Sequence, residues 1–204
     1  GVAAALACGG FAGLLVAASA GVPDGAVSRQ AGDGRTAFTV TLFSAVVYGV
    51  GAPGQYISLS LLDRCIGGRA VAMADATVGA SGAFSVTLVG ENVPVVVEPG
   101  RRILVAVGPA PVEQLCVPDL AAHADASRDL VTGVAPPGAP VTVTAFAPAD
   151  RRVSATATAD ASAAFAASFA GRIDLAAGSQ GLVAVALPGG VQVALRWAVP
   201  RVAV

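Results

Sequence analysis

Three glycines in this chain have the spacing of a phosphate-binding loop. Gly49, Gly51 and Gly54 fit the pattern G-x-G-x-x-G, in which amides at a helix N-terminus hold a pyrophosphate. That chemistry requires a helix after the last glycine. Residues 56–61 instead alternate apolar and hydroxyl side chains, which is typical of a strand, and Pro53 removes an amide. The sequence therefore predicts a turn between two strands here, and no cofactor.

The single histidine, His123, is followed by Asp125, Ser127 and Asp129. A Ser/His/Asp triad needs its members to converge in space beside an oxyanion hole, which their order along the chain does not establish. One imidazole also falls short of the three or four ligands of a zinc site. We expect His123 to be an exposed or edge residue, and we predict no catalytic residue and no metal site. Calcium held by Asp119 and Asp125 is an alternative.

The strands and turns that would have to position these side chains occur in a repeated segment. Residues 48–61 and 132–145 each consist of a short apolar segment, a Gly/Pro turn and an alternating strand. The turn motif comprises Gly49, Pro53 and Gly54 in the first copy and Gly133, Pro137 and Gly138 in the second. The period of two predicts one apolar strand face, formed by Ile57, Leu59 and Leu61 and by Val141, Val143 and Ala145.

The two copies predict two modules, residues 36–117 and 118–199. In the first we expect strands at 37–43, 45–50, 56–62, 69–77, 83–89, 93–97, 103–108 and 112–117, and in the second the same plan. Residues 200–204 are predicted to be the first strand of a further module or a donor strand, because 199–204 resemble 117–122. Ala163 stands where the first copy has Gly82, and we expect a positive φ there.

Cys65 and Cys116 both lie in the first module, and the second has no cysteine at either counterpart. Joint presence in one copy and joint absence from the other favour a disulfide formed in an oxidising compartment. Two buried thiols are the alternative. Trp197 is expected in the core, with a carbohydrate platform as its alternative.

The bulk composition excludes some partners. The 204 residues are 55% apolar and 12% charged with a net charge of −1, so there is no electrostatic case for nucleic acid or an anionic membrane surface. Residues 1–20 are apolar and read as an export signal or a retained anchor helix, and residues 21–35 read as a linker. Contact with a membrane is expected only through the apolar segment, if it is retained.

The motifs at 132–144 and 157–165, with the tighter form Val-Gly-Ala-Ser-Gly-Ala-Phe at 78–84, resemble the tandem immunoglobulin-like modules of bacterial surface and secreted proteins. The resemblance covers residues 36–204. It implies an all-β fold of two tandem immunoglobulin-like β-sandwich modules, which here come after the apolar N-terminal segment. It implies no catalytic residues.

The resulting hypothesis is a non-enzymatic spacer or adhesive array, exported to the cell surface or secreted, whose sandwiches lie in series. Its expected partners are proteins, surfaces or other copies of the chain. The alternatives are a filament subunit that adds a strand to a neighbour and an accessory region of a secreted hydrolase.

Overall fold

A computed structural model describes residues 36–108, 113–146 and 152–200. The predictions for residues 1–20, 21–35 and 201–204 lie outside the described residues. The fold is all-β, as predicted, with sixteen strands and one 3-10 turn in the described ranges. No helix within these ranges has the length and apolar character needed to cross a membrane.

Nine strands precede residue 118. They are β1 (Ala37–Thr41), β2 (Val46–Val50), β3 (Tyr56–Leu62), β4 (Ala70–Thr77), β5 (Ala83–Thr87), β6 (Val89–Gly90), β7 (Val93–Pro94), β8 (Arg102–Val107) and β9 (Glu113–Cys116). Seven follow it, with a 3-10 turn at Pro188–Gly190 before the last. They are β10 (Ala121–Asp125), β11 (Leu130–Val134), β12 (Pro140–Phe146), β13 (Arg152–Thr158), β14 (Ala164–Ser168), β15 (Gln180–Leu187) and β16 (Val191–Ala198).

The alternation predicted for β3 and β12 is confirmed. All six expected apolar residues are buried, whereas Ser58, Ser60 and Thr144 are partly exposed and Thr142 is exposed. Positive φ at Ala163 is also confirmed, at 67° beside 78° for Gly82. The strand predicted at 93–97 is shorter in the structure and spans only Val93–Pro94. Glu91 and Asn92, with φ of 48° and 69°, form a turn that folds β7 back onto β6.

Each half of the chain builds one sandwich on the same plan. In the first, β1, β2 and β5 form one layer, and β3, β4, β8 and β9 belong to the other, which β6 and β7 extend. In the second, β10, β11 and β14 form one layer and β12, β13, β15 and β16 the other. The register of the first strand pair is the same in both halves, since Ala37 opposes Val50 as Ala121 opposes Val134. The boundary at 117/118 stays a prediction.

One strand pair joins the two halves. β1 and β16 are parallel neighbours, so a seven-stranded sheet runs in the order β13-β12-β15-β16-β1-β2-β5. Phe38 opposes Val191 and Val40 opposes Val193, and opposed residues share a face. All four are buried in a single core cluster that includes residues of both halves. The two sandwiches therefore lie side by side, with their second layers on the same face of the shared sheet, whereas the repeat predicted sandwiches in series.

Candidate interaction surface

The glycine motif at 49–54 forms a turn between β2 and β3. Gly54 has φ of 80° and its amide donates to the carbonyl of Val78 at 2.9 Å. In the second copy Gly138 has φ of 74° and donates to the carbonyl of Ala159 at the same distance. Because a strand follows each turn, neither offers the helix N-terminus that phosphate binding uses.

Gly49 and Gly133 have a packing role that sequence reasoning missed. A Cβ on Gly49 would lie 2.4 Å from the ring of Phe84, and one on Gly133 would lie 2.7 Å from the ring of Phe165. Each phenylalanine ring therefore occupies the space that a side chain would need on the neighbouring strand. The co-occurrence of glycine and phenylalanine in both copies was the available signal.

His123 and its neighbours do not form a triad. His123 is exposed on β10, an edge strand, as expected. The hydroxyl of Ser127 donates to Asp125 at 2.7 Å, and this hydrogen bond is the largest cause that lowers the pKa of Asp125. Asp129 accepts a hydrogen bond from the amide of Leu175 at 2.7 Å. These side chains shape the β10–β11 turn and hold it against the rest of the second sandwich.

No group of three or more His, Cys, Asp or Glu side chains is arranged to hold a metal ion in the described ranges. Trp197 is 5% exposed and lies against Gly181, where a Cβ would come within 2.5 Å of the indole. Trp197 is therefore a core residue, as expected, and is not available as a carbohydrate platform.

The structure joins Cys65 and Cys116 in a disulfide, with Cα atoms 5.3 Å apart. Cys65 lies in the loop between β3 and β4, and Cys116 ends β9. The same loop is closed by hydrogen bonds between Asp63 and Arg69 at 3.0 and 3.1 Å. Its tip presents Ile66 with 87% of its surface exposed. The bond therefore anchors a short, solvent-exposed loop to an edge strand of the first sandwich.

Beside this loop the first sandwich departs from the repeat plan. The β6–β7 hairpin extends the sheet past β4, where Met73 opposes Val89. The counterpart of Met73 in the second sandwich is Ser154, whose carbonyl accepts a hydrogen bond from the Arg172 guanidinium at 2.5 Å. At this sheet edge the first sandwich adds the β6–β7 hairpin, which carries apolar side chains. The second sandwich instead covers the same edge with the charged side chain of Arg172.

The hairpin and β4 enclose an open groove of about 590 Å³. Its lining includes Met73, Val89 and Val93, with Arg69 and Glu91 also contributing. Met73 and Val93 are more than half exposed. Exposed apolar side chains grouped around a groove mark a candidate contact surface, and among the described strands the hairpin that forms this one has no counterpart in the second sandwich. The groove offers apolar side chains together with one basic and one acidic side chain, Arg69 and Glu91.

No protein-family model matches the chain, and no curated protein matches it. Solved structures to which the chain is similar include "Biofilm associated protein - BSP domain", with 20% identity, a TM-score of 0.33, 83% of this chain and 30% of that chain covered. A "tetra-tandem repeat in extending region of large adhesion protein" has 21% identity, a TM-score of 0.30, and 79% and 48% coverage.

A pullulanase from Anoxybacillus sp. LM18-11 has 12% identity, a TM-score of 0.26, and 78% and 25% coverage. The chain thus spans between a quarter and a half of the length of these three proteins. At TM-scores below 0.5 the likenesses carry no argument about function.

Proposed function

We propose that the chain is a non-enzymatic structural region of an exported bacterial protein, acting as a spacer or stalk at the cell surface or in a secreted protein. The observation that supports this most directly is the construction of one sandwich plan twice in the chain, with the copies joined through β1 and β16. Repeated modules that pack against their neighbours add length and stiffness from one kind of unit.

Two further features agree with that role. The Cys65–Cys116 disulfide is the kind of bond that persists outside the cytoplasm. The groove beside Met73 gives the first sandwich a surface through which a stalk could also contact a partner or another copy.

Antibodies raised against the folded chain, applied to intact cells that produce the full-length protein, test this location. We expect staining without permeabilisation, and we expect thiol labelling of Cys65 and Cys116 only after reduction. Staining that requires permeabilised cells, together with free thiols in the freshly isolated protein, would place the protein inside the cell and overturn the proposal.

A further inference from the structure

The first and last described strands of the paired sandwiches are direct neighbours. The chain enters the unit at the start of β1 and leaves it at the end of β16, and these strands run parallel from Phe38–Val191 to Thr41–Ala194. Beyond the end of β1, the amide of Leu42 donates to the carbonyl of Ala194 at 2.8 Å. Every other strand pair in the described ranges joins strands of the same half.

This arrangement determines how tension would act. A force applied to the chain on both sides pulls β1 from its first residue, Ala37, and β16 from its last residue, Ala198. In a parallel pair these two points lie at opposite ends of the ladder, so the force runs along the strands. The hydrogen bonds between β1 and β16 are then loaded together. If both points lay at the same end, the ladder would open one bond at a time.

We propose that the β1–β16 pair is a mechanical clamp, which lets the two sandwiches bear tension along the chain without separating. This inference rests on the proposed spacer function for its biological use. Its physical basis is the strand order and direction alone.

Side chains on both faces protect the clamp. Phe38, Val40, Val191 and Val193 cover its inner face and are buried. On the outer face Thr39 is 3% exposed, and its hydroxyl donates to the side-chain carbonyl of Gln192 across the pair at 3.4 Å. Water competes for the backbone hydrogen bonds of an exposed ladder. Because the side chains keep water away from this ladder, burial raises the force needed to break its hydrogen bonds.

The test is single-molecule force spectroscopy on the full chain in two pulling geometries. In the first, the chain is held by tags at its two ends. In the second, it is held by the N-terminal tag and an engineered cysteine in Pro188→Cys, with Cys8→Ser removing the competing thiol. Pro188 is exposed and just precedes Val191, so this geometry loads both strands at the same end.

We expect the first rupture to need a force several times higher in the end-to-end geometry. Equal forces in the two geometries would overturn the clamp. The force comparison and the staining experiment fail independently. Equal rupture forces would refute the clamp but would not bear on the proposed surface location. Staining only of permeabilised cells would refute the location but would not bear on the clamp.

A matched pair of proline variants gives a second measurement. Amide groups point alternately to the two sides of a strand, so residues i and i+2 point to the same side. The amide of Leu42 faces β16, and the amide of Val40 therefore faces it too. The counterpart of Val40 in the second half is Ala124, on the edge strand β10. For variants that keep the circular dichroism spectrum of the parent, we expect Val40→Pro to lower the end-to-end rupture force at least twofold and Ala124→Pro to leave it unchanged. Equal effects of both substitutions would also refute the clamp.

Discussion

The turn at Ala163 offers a matched test of backbone strain, because the chain builds this turn twice. Ala163 and its counterpart Gly82 both lie in the left-handed region. That region costs a residue with a side chain about 1–2 kcal/mol. Glycine avoids this cost but loses more conformational entropy on folding, about 0.5–1 kcal/mol relative to alanine. We therefore expect Ala163→Gly to raise the free energy of unfolding by about 0.5–1 kcal/mol.

The second copy compensates for its alanine with a carboxylate. Asp160 accepts hydrogen bonds from the amide and hydroxyl of Ser162 at 2.8 and 2.7 Å and from the amide of Ala164 at 2.9 Å. The counterpart of Asp160 in the first copy is Gly79, which has no side chain. These bonds hold the turn in place although Ala163 is strained.

The reverse change, Gly82→Ala, is the control. It introduces the same backbone strain, and its Cβ would lie 3.3 Å from the carbonyl oxygen of Gly51, a tight contact. We expect it to lower the free energy of unfolding by about 1 kcal/mol or more, because no carboxylate supports this turn.

Urea titration followed by the fluorescence of the buried Trp197 measures both variants. The core is continuous across the two halves, so we expect one cooperative transition whose midpoint moves up for Ala163→Gly and down for Gly82→Ala. The corresponding rise in melting temperature for Ala163→Gly is about 1–4 °C. A lowered midpoint for Ala163→Gly, with an unchanged slope, would refute the assignment of strain to this residue.

Three further predictions use the same protein. Gly49→Ala should cost about 1–3 kcal/mol of stability, because its Cβ overlaps the ring of Phe84; urea titration measures the loss. Hydrogen bonding within its turn, chiefly from a serine hydroxyl, lowers the pKa of Asp160 below its ordinary 3.8. Its contribution to stability is therefore present above that value and is lost as pH falls through the folded-state pKa, so Asp160→Asn should flatten this part of an acid titration of stability. Reducing the Cys65–Cys116 bond, which spans 51 residues, should cost about 4 kcal/mol by loop entropy. In the force experiment it should release about 170 Å of additional chain length.

The local sequence pattern was sufficient to predict strands and turns within each sandwich. Alternation marked the faces of β3 and β12, and the Gly/Pro turns marked their beginnings. Ala163 could be recognised as strained because its counterpart was glycine. The β6–β7 hairpin was missed because Glu91 and Asn92 adopt positive φ, while the strongest hairpin signal is a glycine after Asn or Asp.

The partnership of β1 with β16 could not be read from the sequence. The two strands are separated by about 150 residues, and each has an ordinary apolar pattern that fits an isolated module equally well. Which edge of a sheet accepts another strand depends on the placement of two complete sandwiches. A local sequence motif does not specify that placement.

A second clamp, related to the first by the repeat, would have to use a segment that contains two prolines. The segment of β16 that pairs with β1, residues 191–194, corresponds to residues 109–112 in the first half, because Cys116 opposes Arg102 as Ala198 opposes Gln180. A symmetric partner for that clamp would pair residues 109–112 with β10. Pro109 and Pro111 stand there, and proline has no amide to donate to a ladder. Among the described residues no strand pair joins the sheets that contain β9 and β10. Among the described strands, the β1–β16 ladder is the one that carries tension between the halves, so substitutions on β1 should change the rupture force more than equivalent ones on β10.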